Sequence, residues 1–230
     1  MRLAPIGHRA YTYNVTTPPA NPPVTLATFK QHINVTHTLT DAILQLYLDA
    51  AIEFAEKYTS RDLITRTYNT FRDFFPDPLQ NEGYYPFGRI PTGANTLIPS
   101  TIGNVGFEIR RSPLSAVNAI TYIDTNNISQ TVDVGTYYFT TENDFSEILL
   151  INDSATWPTD ASNRMQSITI DFTSGMATDE TGIEACWKVA IMQHAAMLWA
   201  NRGDCSNSGC AKMIPAASKA FYETKRLRFL

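Results

Sequence analysis

The chain has 230 residues, 43% hydrophobic and 17% charged, enough apolar material to close a core and too little charge for a disordered or nucleic-acid-coating protein. Lys and Arg number 18 against 22 Asp and Glu, a net charge of −4, which excludes the overall basic field of a duplex-coating protein while leaving room for a local basic patch. Three cysteines, Cys186, Cys205 and Cys210, are an odd number in a long chain, so the composition is not that of a disulfide scaffold and reads as cytosolic.

The opening MRLAPIGHRAYTYN carries basic residues with no apolar run behind them, which predicts no signal peptide. No run reaches about 18 uninterrupted apolar residues, so no membrane span is predicted. Residues 1–24 include TTPPANPPV, where paired prolines fix φ and hold their neighbours extended, and read as an arm. Thr25 is positioned to cap a short helix through LATFKQHI, with Asn34 as its stop. Thr38-Leu39-Thr40-Asp41 offers a capping box for a long helix ending near Tyr58. That helix has a polar stripe of Gln45, Asp49, Glu53 and Glu56. Its apolar face of Ile43, Tyr47, Ala50, Ala51, Phe54 and Tyr58 is flanked by Leu44, Leu48 and Ala55, wide enough for two partners.

From Asp62 the period turns extended, and ITRTYNTFRDFF reads as a strand. Residues 76–104 form a long Pro-, Gly- and Asn-rich loop whose Tyr84, Tyr85 and Phe87 need something to pack on. VGFEIRR, AVNAITYI, TVDVGTYYF, SEILLI and SITIDF then predict a small antiparallel β-region over 105–173. Thr181-Gly182-Ile183-Glu184 is placed to cap a second long helix, EACWKVAIMQHAAMLWANR, which is apolar almost all round and therefore needs cover on every side, part of it from neighbouring copies. Pro215 opens a short terminal helix, AASKAFYETKRL. Residues 211–230 sum to +4 and the rest of the chain to −8, so 215–230 reads as a basic, partly amphipathic arm on an acidic body of 25–214. The predicted fold class is α+β: a helical bundle body of two long helices plus short terminal helices, with the antiparallel β-region inserted between the long helices.

Motifs for chemistry are sparse. GxSxG, HExxH, Walker A, GxGxxG and EF-hand patterns are all missing from the sequence. His194 within an apolar helix reads as a core residue, and Cys205 with Cys210 lacks the close ligand pairs of structural zinc. Asp153, Asp160, Asp171, Asp179 and Glu180 are numerous, but nothing in their spacing joins two at one site. Arg61, Arg66, Arg72, Arg110 and Arg111 read as a solvated face or inter-subunit ion pairs in preference to DNA contacts. No catalytic residue, cofactor or metal is therefore expected, and the helix faces carrying Tyr47, Phe54, Tyr58, Trp187, Ile191 and Trp199 are expected to meet other subunits.

Order and spacing of AIEFAEKYTSRDL, RSPLSAVNAITYID, TIDFTSGMA, AAMLWANRG and the Pro-led IPAASKAFYETKRLRFL resemble the head-tail connector, or adaptor, proteins of tailed bacteriophages and related gene transfer particles. The resemblance covers about residues 25–75 and 105–230, and the Pro-rich arm and the loop at 76–104 depart from shorter members. It implies a structural, non-enzymatic virion protein of the neck, made in the host cytoplasm, that forms a dodecameric ring beneath the portal protein. Such a ring extends the DNA channel, passes duplex DNA without sequence-specific binding and meets the next neck or tail component, with no membrane partner. Carried onto this chain, it implies a portal-binding arm over Pro215–Leu230, with Lys219, Lys225, Arg226 and Arg228 steering and Phe221, Tyr222, Phe229 and Leu230 anchoring. Truncation after Ile214 is then expected to leave the fold intact and abolish portal attachment. A virion-associated hydrolase on an α+β scaffold is the alternative, and a duplex-DNA-binding module a third reading, disfavoured by the acidic balance.

Overall fold

The computed structural model describes residues 12–76, 106–140, 146–150, 155–201 and 214–227. The loop at 76–104, apart from Pro76, therefore lies outside the described residues, as do Cys205, Cys210, Asp153, Arg228, Phe229 and Leu230.

Strand β1 (Tyr13–Thr17) is followed by helix α1 (Leu26–His32), capped by the Thr25 hydroxyl, which accepts the Thr28 N–H as expected. Just past its end Asn34 adopts a positive φ of 56°, the conformation that stops helices. Helix α2 (Asp41–Thr59) buries Leu44, Leu48, Ala51, Ala55 and Thr59. The expected face is thus rotated by about one residue: Ile43 and Ala50 are exposed, and the flanking row is the core row. The expected capping box does not form, since Thr40 makes no side-chain cap; Asp41 instead takes an ion pair from Lys30 Nζ at 2.6 Å, tying α1 to α2. Ser60, left-handed at φ 58°, ends the helix.

Among the described residues eight strands form two sheets. β1, β2 (Arg66–Arg72), β8 (Ile168–Ser174), β4 (Leu114–Ile123) and β5 (Ser129–Thr131) form a five-stranded sheet in that order, every pairing antiparallel. β3 (Phe107–Ile109), β7 (Ser146–Leu150) and β6 (Tyr137–Thr140) form a second, antiparallel sheet. The run TVDVGTYYF does not stay extended, because the Asp133 carboxylate accepts the Gly135 N–H and folds a 3-10 turn between β5 and β6. Period-two burial along β8 puts Ile168, Ile170 and Phe172 inward with Thr169, Asp171 and Thr173 outward.

Helix α3 (Ala185–Ala200) runs antiparallel to α2, since Tyr47 meets Trp199 at 6.1 Å between centroids while Phe54 meets His194 at 5.2 Å. The cap expected at Thr181–Glu184 is displaced upstream: Asp179 accepts the Thr181 N–H and caps a 3-10 turn, and Glu184 starts the helix without a side-chain cap. Helix α4 (Ala216–Lys225) closes the layer.

Two cores result. One joins the helices through Val24, Phe29, Leu44, Leu48, Trp187, Ile191 and Tyr222. The other lies within the β-region and is aromatic, with Trp157 stacked on Phe75 at 5.5 Å and edge-on to Phe107 at 5.2 Å. The molecule is α+β, with four helices and a five-stranded antiparallel sheet among the described residues. Part of the expected N-terminal arm is an edge strand of that sheet. Where β8 leaves the sheet, Gly175 sits at φ 151°, and a Cβ there would lie 2.4 Å from the Thr65 Cα, so only glycine fits.

Candidate assembly surfaces

The junction between the two cores is built from charge. The stretch EKYTSRDLITR carries α2 into β2 and places Glu56, Asp62 and Arg66 together. Arg66 Nη2 donates to Glu56 Oε1 at 2.6 Å, and the same oxygen accepts the Leu63 N–H at 3.1 Å. Asp62 is fully buried; its Oδ1 accepts the Tyr68 hydroxyl at 2.7 Å and lies 3.5 Å from Arg111 Nη1. Burial pushes the Glu56 carboxyl above the ordinary glutamate range, against the pull of Arg66. Burial also pushes the Tyr68 phenol up, and neighbouring Asp62 adds to it. These partners sit on different elements, so the network fixes how the helices meet the sheet. Sequence reading missed it and took Glu56 for the solvent stripe; the only signal was the density of opposite charges at one helix-to-strand boundary.

The predicted arginines each have partners within the chain. Arg66 and Arg111 serve Glu56 and Asp62, Arg61 Nε donates to the Lys225 carbonyl at 2.6 Å, Arg72 Nη2 to the Glu108 carbonyl at 3.1 Å, and Arg110 pairs with Glu108 at 3.3 Å.

The C-terminal helix is partly core. Tyr222 is fully buried, its ring stacked over Trp187 at 6.2 Å and tilted against Phe54 at 6.5 Å, and burial pushes its phenol up. Ser218 Oγ donates to the Ala190 carbonyl at 2.9 Å, Leu227 is 5% exposed, and its N–H donates to the Thr59 carbonyl at 3.0 Å. The expected anchor Tyr222 is therefore used up inside its own chain, because the aromatic side of α4 faces α2 and α3. Phe221 is half-buried, edge-on to Trp187 at 5.0 Å. Lys219 and Arg226 are exposed, the Arg226 guanidinium lies 5.0 Å from the Tyr58 ring centroid, and Lys225 pairs with Glu184 at 3.4 Å. The Tyr58 hydroxyl donates to Glu223 in a short bond, which raises its pKa.

Of the expected inter-subunit faces, Trp187 and Ile191 are 1% and 0% exposed and belong to the intrachain core, since α2 and α4 together cover that side of α3. Tyr47, Phe54 and Trp199 are half-buried along the α2–α3 seam, and Tyr58 is half-buried against α4. Open apolar surface lies elsewhere, and one group of it is at the start of α2: Leu39 (93% exposed) in the turn before the helix, and Ile43 (48%) and Leu46 (68%), which share a face of its first turns. Val189, 46% exposed, and exposed Cys186 mark the outer side of α3.

The acids singled out in the sequence occupy separate places. Asp160 accepts from the Tyr122 hydroxyl, Asp179 caps its turn, Glu180 accepts from the Thr28 hydroxyl, and Asp171 sits on the outer face of β8. Among the described residues no group of three His, Cys, Asp or Glu is placed to hold a metal ion, and no helix is long and apolar enough to cross a membrane.

A family model described as phage gp6-like head-tail connector protein matches residues 23–152, more than half of the chain. The chain belongs to this family. The matched stretch of the connector contains α1, α2 and the strands through β7, while β1, β8, α3 and α4 lie outside it. Three solved structures share the connector's fold along 95% of its length and 97% of theirs. They come from the neck of an empty gene transfer agent (GTA) particle computed with C6 symmetry (19% identity, TM-score 0.69), the virion of a native gene transfer agent particle (20%, 0.65) and the neck of a native GTA particle computed with C12 symmetry (20%, 0.66). A search of curated proteins finds no match to the connector.

Proposed function

We propose that the chain is a structural subunit of the neck of a tailed-phage-like particle, forming a dodecameric ring beneath the portal protein. That ring extends the DNA channel and offers a surface to the next neck or tail component. The observation that carries this reading is the connector family match over residues 23–152. The C12 symmetry of a neck containing a chain of the same fold supports a twelve-membered ring. In this reading the helical bundle is the ring body, and the β-region inserted between α2 and α3 lies on its outer or tail side. Leu39, Ile43 and Leu46 meet the neighbouring subunit, with Tyr47 and Trp199 beside them at the α2–α3 seam and Phe54 and Tyr58 further along α2. Burial of such a group inside an assembly relieves an apolar surface that a monomer leaves in water.

Portal attachment falls to the C-terminal end beyond the α4 core: Lys219, Lys225 and Arg226 at its surface, Phe221 at its edge, and Arg228, Phe229 and Leu230 after the last described residue. Their positive charge on an acidic body steers the end toward an acidic portal surface. The chain performs no catalysis, and duplex DNA passes without sequence-specific contact. Site-specific crosslinking in assembled particles, from a photoreactive group at position 219, tests the reading: adducts with the portal protein are expected. Adducts only with tail-tip or capsid-surface proteins would overturn it.

A further inference from the structure

Strand β1 is attached to the body in an unusual way. Only one of its side chains is inserted: Tyr13 packs edge-on against Tyr68 and Phe172, at 6.3 and 6.0 Å between centroids. Its hydroxyl accepts the Arg110 N–H at 2.8 Å, and the Arg111 guanidinium lies 5.8 Å from its ring centroid. The remaining residues of the strand, Asn14 to Thr17, are exposed, and among the described residues the ladder to β2 holds them. The strand is thus a single aromatic knob in a socket that belongs to β2, β8 and the Arg110–Arg111 turn.

The tether is equally distinctive. Pro18 and Pro19 precede, and Pro22 and Pro23 follow, a bend at Ala20 and Asn21 that turns the chain back onto its own sheet. Residues 18–22 are exposed, and the side-chain bond closing the bend runs from Asn21 Nδ2 to the Thr178 carbonyl at 3.2 Å. A residue preceding proline favours extended geometry, so Pro22 favours straightening of Asn21. Pro23 and Val24 are buried and anchor the tether; straightened, the exposed residues 18–22 span roughly 16 Å at the polyproline rise, enough to carry β1 off its own sheet. A strand returned to the same socket in another copy makes the same contacts, so hinge preference and local concentration decide between the two states.

We propose that β1 is an exchangeable strand: in the assembled ring, Tyr13–Thr17 of one copy pairs with β2 of its neighbour and seats Tyr13 in the neighbour's socket. The inference rests on the self-assembly reading above and adds the means by which adjacent copies are locked together.

Asn14 and Asn69 stand opposite each other in the β1–β2 ladder, and antiparallel partners have Cα spacings of about 4.5–5.5 Å, within disulfide range. Two full-length variants, Asn14→Cys and Asn69→Cys, are made in a background with Cys186, Cys205 and Cys210 changed to Ala, and one carries a mass tag. They are mixed at concentrations where the chain assembles, oxidised, and read by non-reducing electrophoresis, with native mass spectrometry on the same sample. Exchange gives a mixed disulfide at the summed mass of both variants, missing from either variant alone and from a mixture of Asn14→Cys with Asn69→Ser. The Asn14→Cys/Asn69→Cys double variant, oxidised dilute, closes within one chain and establishes that the pair is bondable. Assembled rings without the mixed disulfide overturn the exchange and leave the ring reading standing. A sample that stays monomeric at every concentration, alone and with portal, overturns both.

Discussion

At the scale of single residues, the buried polar groups are where the structure is most sensitive. The Tyr222 hydroxyl is buried without a hydrogen-bond partner among the described residues, while its ring fills the space between α2, α3 and α4. Removing the hydroxyl and keeping the ring relieves an unpaid desolvation, so Tyr222→Phe is expected to stabilise the chain by about 1 kcal/mol. Tyr222→Ala opens a cavity in the helical core and is expected to cost about 3–5 kcal/mol; urea unfolding midpoints separate the two. Glu56 yields a pH signature. Its folded-state pKa is raised by burial, so the folded state holds this proton more tightly than the unfolded chain does. Its contribution to stability is complete below the ordinary glutamate range and is lost as pH rises through the raised value. Glu56→Gln has no such proton. The stability of the parent minus that of the variant is therefore expected to fall with rising pH across that window. Asp124 and Asp179 shift the other way, lowered by hydrogen bonds led by those from Gln130 and Thr181 respectively, but they are common to both proteins and cancel. A difference that is flat or rises with pH would refute the assignment.

At the scale of elements, the basic, amphipathic terminal segment contributes α4 to the body of the molecule. Ser218, Tyr222 and Leu227 are buried, so the expectation that a chain ending at Ile214 keeps its fold does not survive the structure. Losing the burial of Tyr222 and Leu227 costs about 3–6 kcal/mol, a large part of the 5–15 kcal/mol available to a typical domain. A chain ending at Ile214 is expected to melt well below the parent, and one ending at Leu227 to melt with it while losing portal attachment; differential scanning calorimetry and co-sedimentation with portal rings check the two halves. Sequence periodicity made the existence of α1 to α4 legible, and the Thr25 cap and the Asn34 stop were readable because both act within one turn. The core face of α2 was not, because Ile43 and Leu44 are adjacent and equally apolar, and only the arrival of α3 decides which points inward. Glu56 read as solvated for the same reason: Arg66 and the Leu63 N–H reach it from a strand that local pattern does not place. Helix α3 read as needing cover all round; α2 and α4 supply it for Trp187 and Ile191, while Val189 and Cys186 stay exposed on its outer side and further open apolar surface lies at the start of α2.

At the scale of the whole molecule, two cores joined by the buried Glu56–Arg66 and Asp62–Arg111 contacts make a unit whose helical and β parts present separate surfaces. The group Leu39, Ile43 and Leu46 lies on the helical side, and Leu46 is 68% exposed, so a charge there meets water in the monomer and costs it at most about 0.5 kcal/mol. In a ring that buries the group against a neighbour, the same charge is buried unpaired at every interface, and the penalty repeats around the circle. Leu46→Asp is therefore expected to hold the chain as a monomer, by native mass spectrometry and sedimentation, at concentrations where the parent assembles alone or on portal, with an unchanged melting temperature. Val134 is 73% exposed on the β-region, and Val134→Asp adds the same charge at a comparable exposure; it is expected to leave assembly intact. If Leu46→Asp assembles like the parent, or if both substitutions block assembly equally, the start of α2 is not the subunit contact and general charge repulsion is the better account.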